Sequence, residues 1–167
     1  MDATDFWADA PGDWVGDVPP WHEYAGPGPT DELVRAAEGA LGFRLPAAFL
    51  DLLRVQNGGL PRRRCFPVGR GHVEITGLYG VGGFHGIDNP DRGSRHTIRE
   101  WGFPDVGVVI APTPSGGHDA VLLDYRECGP AGEPRVIHVE TEGGGSVLTV
   151  LAPDFASFAA ALTDRPD

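Results

Sequence analysis

The chain reads as an α+β protein with two N-terminal helices, a central and mainly antiparallel sheet of about five or six strands, and a C-terminal helix. Three observations lead there. Its 167 residues include 25 glycines and 16 prolines, about twice the usual share, which disfavours a mostly helical chain. Two helical patterns come first, short strand-like apolar runs follow, and one helical pattern closes the chain. That segregation implies α+β rather than alternating α/β. Finally, 41% hydrophobic and 22% charged residues are the composition of a globular domain. A chain of this length can bury about 70% of its unfolded surface without a metal or disulfide staple.

Residues 1–29 form a Pro/Gly-rich acidic lead-in. Pro11-Gly12, Pro19-Pro20 and Pro27-Gly28-Pro29 rule out one long helix. Trp7, Trp14 and Trp21 are expected to dock on the body formed by residues 30–167, because disordered segments are poor in aromatics. The first helix is predicted over residues 31–41. Thr30 caps it, Asp31 and Glu32 suit its positive end, and Leu33, Ala37, Ala40 and Leu41 form its apolar stripe. Gly42 stops it. The second helix is predicted over residues 46–56, with Pro46 in its first turn and Phe49, Leu52, Leu53 and Gln56 on one face. Asn57-Gly58-Gly59 ends it, since these residues reach positive φ cheaply. The short connection makes the two helices a corner.

Strands are predicted over residues 65–68 and 73–79. Residues 80–97 read as a loop, running into a short helix over 96–101. The apolar run at 106–111 suits a central strand. Further strands are predicted over 118–125, 134–140 and 147–151. The last helix starts near Asp154 and buries Phe155, Phe158, Ala159 and Leu162. Among these elements Leu41, Leu45, Phe49, Leu53, Val109, Leu122, Phe155 and Phe158 are the expected core.

Net charge is −11, and its distribution carries the information. Residues 1–34 hold eight acids (Asp2, Asp5, Asp9, Asp13, Asp17, Glu23, Asp31, Glu32) and no base. Such a field disfavours nucleic-acid phosphates and favours a basic partner. The longest apolar stretch is far shorter than the ~20 residues a bilayer needs, and the acidic N-terminus lacks the features of a secretory signal. Cys65 and Cys128 do not suggest a disulfide framework. The expectation is a reduced, cytoplasmic protein with no membrane or nucleic-acid partner and no cofactor.

Few residues could carry chemistry. His118-Asp119 with Asp124, His138 and Glu140 is the best metal set by residue type. If residues 126–133 form a hairpin loop, His138 faces Val121 and Asp124 faces Arg135. His118 and His138 then fall on opposite faces, and Asp124–Arg135 is a cross-strand charge pair. No metal site is therefore assigned, His118 and His138 remaining its weak candidates. Cys128 sits in the turn Glu127-Cys128-Gly129-Pro130, with Arg126 as its only obvious activator, so a nucleophile is not expected. Gly80-x-Gly82-Gly83 fails the dinucleotide pattern and Ser115 lacks a nucleophile elbow. Arg62-Arg63-Arg64 reads as a solvated loop or a partner for the acidic lead-in. Glu38, beside the first helix's apolar stripe, is expected to bind backbone N–H groups or an arginine and so hold the corner. No catalytic residue is assigned.

Three sets of residues resemble a known family. Glu38-x-x-Leu41-Gly42-x-x-Leu45-Pro46 with Asn57-Gly58-Gly59 is similar to the N-terminal signature of the SUKH superfamily. Ser115-Gly116-Gly117-His118-Asp119, Leu123-Asp124-Tyr125-Arg126-x-Cys128-Gly129 and Gly132-Glu133-Pro134-x-Val136-x-His138-Val139 resemble one bacterial branch of it. Leu151-Ala152-x-x-Phe155-x-x-Phe158 fits its last helix. The resemblance spans about residues 30–163 and implies an α+β fold without enzymatic activity or transferable catalytic residues. It further implies an immunity protein that binds a cognate secreted toxin, in many cases a nuclease, and occludes its active surface. The acids Asp5, Asp9, Asp13 and Asp17 would face such a toxin's basic cleft. A regulatory scaffold that binds a host protein is the alternative, and a metal-dependent hydrolase the weaker third.

Overall fold

The structure, a computed structural model, describes residues 2–8 and 25–166. Helix α1 spans Asp31–Leu41, with Thr30 Oγ1 accepting from the Leu33 N–H and Gly42 closing it at φ 79°. Helix α2 spans Ala47–Val55. Pro46 precedes it as the N-cap, and Gln56 lies outside as the C-cap, so the helix is shorter at both ends than the sequence suggested. The α1 stripe is also shifted. Val34, Ala37 and Leu41 are buried, whereas Ala40 is exposed.

Six strands follow, divided between two sheets. Strands β1 (Cys65–Val68) and β2 (Gly71–Glu74) form an antiparallel two-stranded ribbon. The sequence predicts the second strand over residues 73–79. In fact it starts at Gly71 and ends at Glu74, and the backbone beyond it turns to the neighbouring sheet. Helix α3 (Ser94–Trp101) starts two residues before its predicted position. Strands β3 (Gly107–Pro112), β4 (Asp119–Asp124), β5 (Arg135–Glu140) and β6 (Val147–Ala152) form an antiparallel meander in chain order. Helix α4 (Phe155–Ala161) closes the fold, with Asp154 accepting from the Ser157 N–H as its cap.

The meander is covered on both faces. Val108, Ile110, Val121, Leu123 and Val136 share one apolar cluster with α1, α2 and α4. Val109, Ala120, Leu122, Ile137 and Val139 form a second cluster with Ile98 of α3 and Phe103. Such two-sided burial explains why β3, β4 and β5 read as continuous apolar runs instead of alternating ones. All eight residues expected in the core are buried.

Edge strand β3 is partly shielded, since Thr76 N–H donates to the Pro112 carbonyl and Tyr79 N–H to that of Ile110. A bulge between Val109 and Ala111 accompanies this contact. The other edge, β6, carries the exposed side chains of Val147 and Val150. No helix among the described residues is long and apolar enough to cross a membrane.

Candidate functional site

The two signature segments meet. On the first, the Leu45 N–H donates to Glu38 Oε1 at 2.8 Å, tying the end of α1 to the start of α2. Leu41 and Leu45 are buried beneath this corner. On the second, Tyr125 directly follows β4 and its hydroxyl donates to the Arg44 carbonyl at 2.6 Å, while its ring stacks on Phe43 at 4.4 Å. The Arg44 N–H returns a bond to the Pro130 carbonyl at 2.8 Å. Residues 126–133 thus fold as a turn against the helical corner, with Gly129 at φ 77°. A Cβ at Gly132 would strike Cys128. Burial pushes the Tyr125 phenol well above its ordinary range, with Cys128, Glu133 and Glu38 adding to the rise. Tyr125→Phe should cost about 1 kcal/mol, the worth of one such bond. A fall in melting temperature of about 2–4 °C would register it, and an unchanged melt would show the hydroxyl to be dispensable.

Asp124 is the most enclosed ionised group of the turn. Its carboxylate accepts from Arg126 Nε and Nη2 at 2.9 and 2.7 Å and from Arg135 Nε at 2.8 Å, with its side chain fully buried. Burial alone would raise its pKa, but the bonds from the two arginines prevail and hold it at about 2. Arg135 also binds Glu127 at 2.7 Å. The β4–β5 register is continuous and puts Asp124 opposite Arg135 and Val121 opposite His138.

Cys128 is exposed, and its Sγ lies 3.2 Å from the Gly129 carbonyl. Its thiol is raised by what burial it has and by the nearby acids Asp124, Glu133 and Glu127. That is the opposite of what a nucleophile requires. Burial and Asp154 likewise raise Glu133, and Pro134 is buried where β5 begins.

His118 and His138 have different partners. His118 packs edge-on to Trp101 of α3, and Gly117 lies so close beneath the indole that any Cβ there would collide with it. His138 Nε2 lies 2.5 Å from Asp119 Oδ2. Asp119 also accepts from Thr113 Oγ1 at 2.6 Å, and its own N–H donates to Ser115 Oγ. Burial opposes its ionisation, yet the bonds from His138, Ser115 and Thr113 lower its pKa. This pair was within reach of the hairpin arithmetic, because Asp119 lies two residues from Val121 on the same face as His138.

Asn57 joins α2 to the long loop after β2. Its amide donates to the Val81 carbonyl at 2.8 Å and its Oδ1 accepts from the Val81 N–H at 2.9 Å. Gly58 and Gly59 take φ of 83° and 131°, and Gly59 forms a backbone bridge with Leu78. Glu38, Asn57, Asp119, Asp124, Tyr125 and His138 of the signature segments are therefore engaged in internal joints.

Three surfaces remain. Of the acidic lead-in, Asp2 and Asp5 are described and exposed; Asp9, Asp13, Asp17, Trp14 and Trp21 lie outside the described residues. Its start is fixed by Phe6 and Trp7, both buried, with Trp7 Nε1 donating to the Leu52 carbonyl of α2 at 3.1 Å. The Arg62 guanidinium donates to the Trp7 carbonyl at 3.3 Å, so the basic triplet does meet the lead-in, here through backbone. A shallow cleft of about 290 Å³ lies between α3 and β3, lined by Tyr79, Thr97, Trp101, Val109 and Pro112. In the loop before α3, Phe84 is exposed, with the Arg92 guanidinium 4.0 Å above its ring. The third surface is the β1–β2 ribbon, where Cys65, His72 and Glu74 bring their ligand atoms within 4.8 Å of one another. A second strand that began at residue 73 would leave His72 in a turn and hide this group.

A fold of two helices, meander and closing helix, joined by these two signatures, defines a SUKH-type domain. The chain belongs to the SMI1 / KNR4 family (SUKH-1), whose family model matches residues 28–161. No curated protein and no solved structure matches it.

Proposed function

We propose that this protein is an immunity protein that binds a secreted toxin and neutralises it by covering its active surface. The observation that carries this reading is the charge distribution in a chain of this family. Eight acids and no base fall in residues 1–34, and the start of that segment is held on α2 by Phe6 and Trp7. A cluster of acids of one sign speeds encounter with a basic surface. A nuclease has such a surface because its substrate is a polyanion. The signature residues act as joints of the fold, which suits a protein that works by binding and not by turnover.

The test first asks whether a polymorphic toxin is encoded beside this protein's gene, and takes that toxin's C-terminal domain as the probe. Association is followed by stopped flow at several salt concentrations, for the wild type and for Asp5, Asp9, Asp13 and Asp17 changed together to Asn. The association rate should fall several-fold at low salt, and the difference should shrink as salt screens the field. An unchanged rate in a folded variant would remove the lead-in from the interface and move it to the loop at residues 80–97. Absence of binding by the wild type would refute the immunity reading for that toxin.

A further inference from the structure

The β1–β2 ribbon has two unlike faces. Phe66, Val68 and Val73 pack into the main apolar cluster. The register pairs Cys65 with Glu74 and Pro67 with His72, and side chains two residues apart on a strand share a face. Cys65, His72 and Glu74 therefore lie together on the face turned away from that cluster. Cys65 is 1% exposed yet belongs to neither apolar cluster. Its burial comes instead from the segment after α4. Cys65 N–H donates to the Thr163 carbonyl, Thr163 N–H donates back to the Cys65 carbonyl, and Thr163 Oγ1 donates to it as well. These bonds fix the Cys65 backbone. They also leave Cys65 and Glu74 as a pair without mutual ladder bonds, the kind in which facing side chains stand closest.

We propose that Cys65, His72 and Glu74 bind a zinc-type divalent metal ion, through thiolate, imidazole and carboxylate, with water in the fourth position. The three ligand atoms already lie within 4.8 Å of one another. Around a tetrahedral zinc with bonds of about 2.0–2.3 Å they would stand roughly 3.3–3.6 Å apart. The remaining closure needs only side-chain rotation by His72, which is exposed, and Glu74, which is part-buried. Thiolate and carboxylate together cancel the charge of a divalent ion, so the loaded site is neutral. Sulfur and imidazole favour zinc over magnesium or calcium, which prefer all-oxygen sites.

Burial holds the Cys65 thiol protonated, Glu74 and Asp164 add to this, and Arg64 and Arg165 oppose it. Metal entry therefore forms a metal–sulfur bond as the S–H bond breaks, and the proton passes to solvent. Arg64 reaches Glu74 only at 3.8 Å and is itself part-exposed, so it can turn to water when the metal takes the carboxylate. The ion would clamp β1 to β2 around a cysteine already bonded to the C-terminal segment. This role is structural and independent of toxin binding.

Cobalt(II) is the probe, because thiolate coordination gives a near-ultraviolet charge-transfer band and a tetrahedral site gives visible bands. Titration of the full chain should produce both with one equivalent of metal, and zinc should displace cobalt. The band should survive Cys128→Ser and vanish in Cys65→Ser. His72→Ala and Glu74→Gln should weaken binding at least tenfold. His72 is exposed, so its variant should keep the melting temperature of the metal-free wild type. Zinc should raise the melting temperature of the wild type and not of Cys65→Ser. A missing band, a band that persists in Cys65→Ser, or unaltered affinity in His72→Ala would each overturn the assignment.

Discussion

Phe158→Ala is expected to destabilise the protein by about 3–5 kcal/mol, the range for removing a fully enclosed phenylalanine ring. Phe158 is 1% exposed. It stacks on Phe66 of β1 with centroids 5.3 Å apart and lies 6.1 Å from Phe155, which meets Phe49 of α2 edge-on at 5.1 Å. One ring thus connects α4 to the ribbon and to the helical corner. Alanine would leave a cavity with rigid walls on three sides, and the cost grows with the volume that cannot collapse. Urea unfolding should show a much lower midpoint with little change in slope. Phe84→Ala provides the contrast, because its ring is exposed and its loss should cost less than about 1 kcal/mol. Equal midpoints for Phe158→Ala and the wild type would mean that α4 does not pack as described.

Asp124→Asn should cost about 2 kcal/mol at neutral pH, and the cost should disappear in acid. The folded carboxyl titrates at about 2 against an ordinary value of 3.8, and a tenfold change in proton affinity between the folded and unfolded chain corresponds to about 1.4 kcal/mol. A depressed pKa means that the stabilisation is complete above the unfolded value. It is lost as pH falls from about 4 through the folded value near 2. The difference in urea midpoint between wild type and Asp124→Asn should therefore be constant at neutral pH and close towards about pH 2. Asp119, whose pKa is also lowered, titrates in both proteins, so its contribution cancels. Arg126 and Arg135 both retain access to water, which keeps the loss below that of a fully sealed ion pair. A difference that persists undiminished into strong acid would show that the charge on Asp124 is not what stabilises the turn.

Where the sequence was legible, a local signal fixed both ends of an element. Thr30 and Gly42 bracket α1, and the turn at 126–133 sets the β4–β5 register without any tertiary information. Glu38 was readable because a carboxylate beside an apolar stripe must find donors. Where it was not, two signals competed. On α1 the alanines are nearly neutral in pattern, so Ala40 and Val34 could be exchanged by a small rotation of the helix. After β2, Ile75 and Leu78 continue the apolar pattern, but the backbone there leaves the ribbon: Thr76 and Tyr79 bond the edge of β3, and Leu78 bridges Gly59. Periodicity reports burial, not which strand is the neighbour, so one sheet could not be told from two. The cluster of Cys65, His72 and Glu74 needed that missing boundary, and the pairing of Asp119 with His138 needed the register to be followed one step further.

The bridge between Cys65 and Thr163 spans 98 residues, and that separation acquires a direction during synthesis. At about 5–20 residues per second, Cys65 is made roughly 5–20 s before its partner. The meander can zip up hairpin by hairpin as it emerges, since each strand pairs with the next in the chain. The ribbon cannot finish in this way. Until Phe158 and Thr163 arrive, β1 has one hydrogen-bonding edge open and Phe66 lacks the ring that stacks on it. A nascent chain halted before Phe155 would show an unpaired strand edge beside an uncovered aromatic, a combination that invites association with other chains. Emergence of α4 and Thr163, more than collapse of the meander, is the event that lets the ribbon complete its packing.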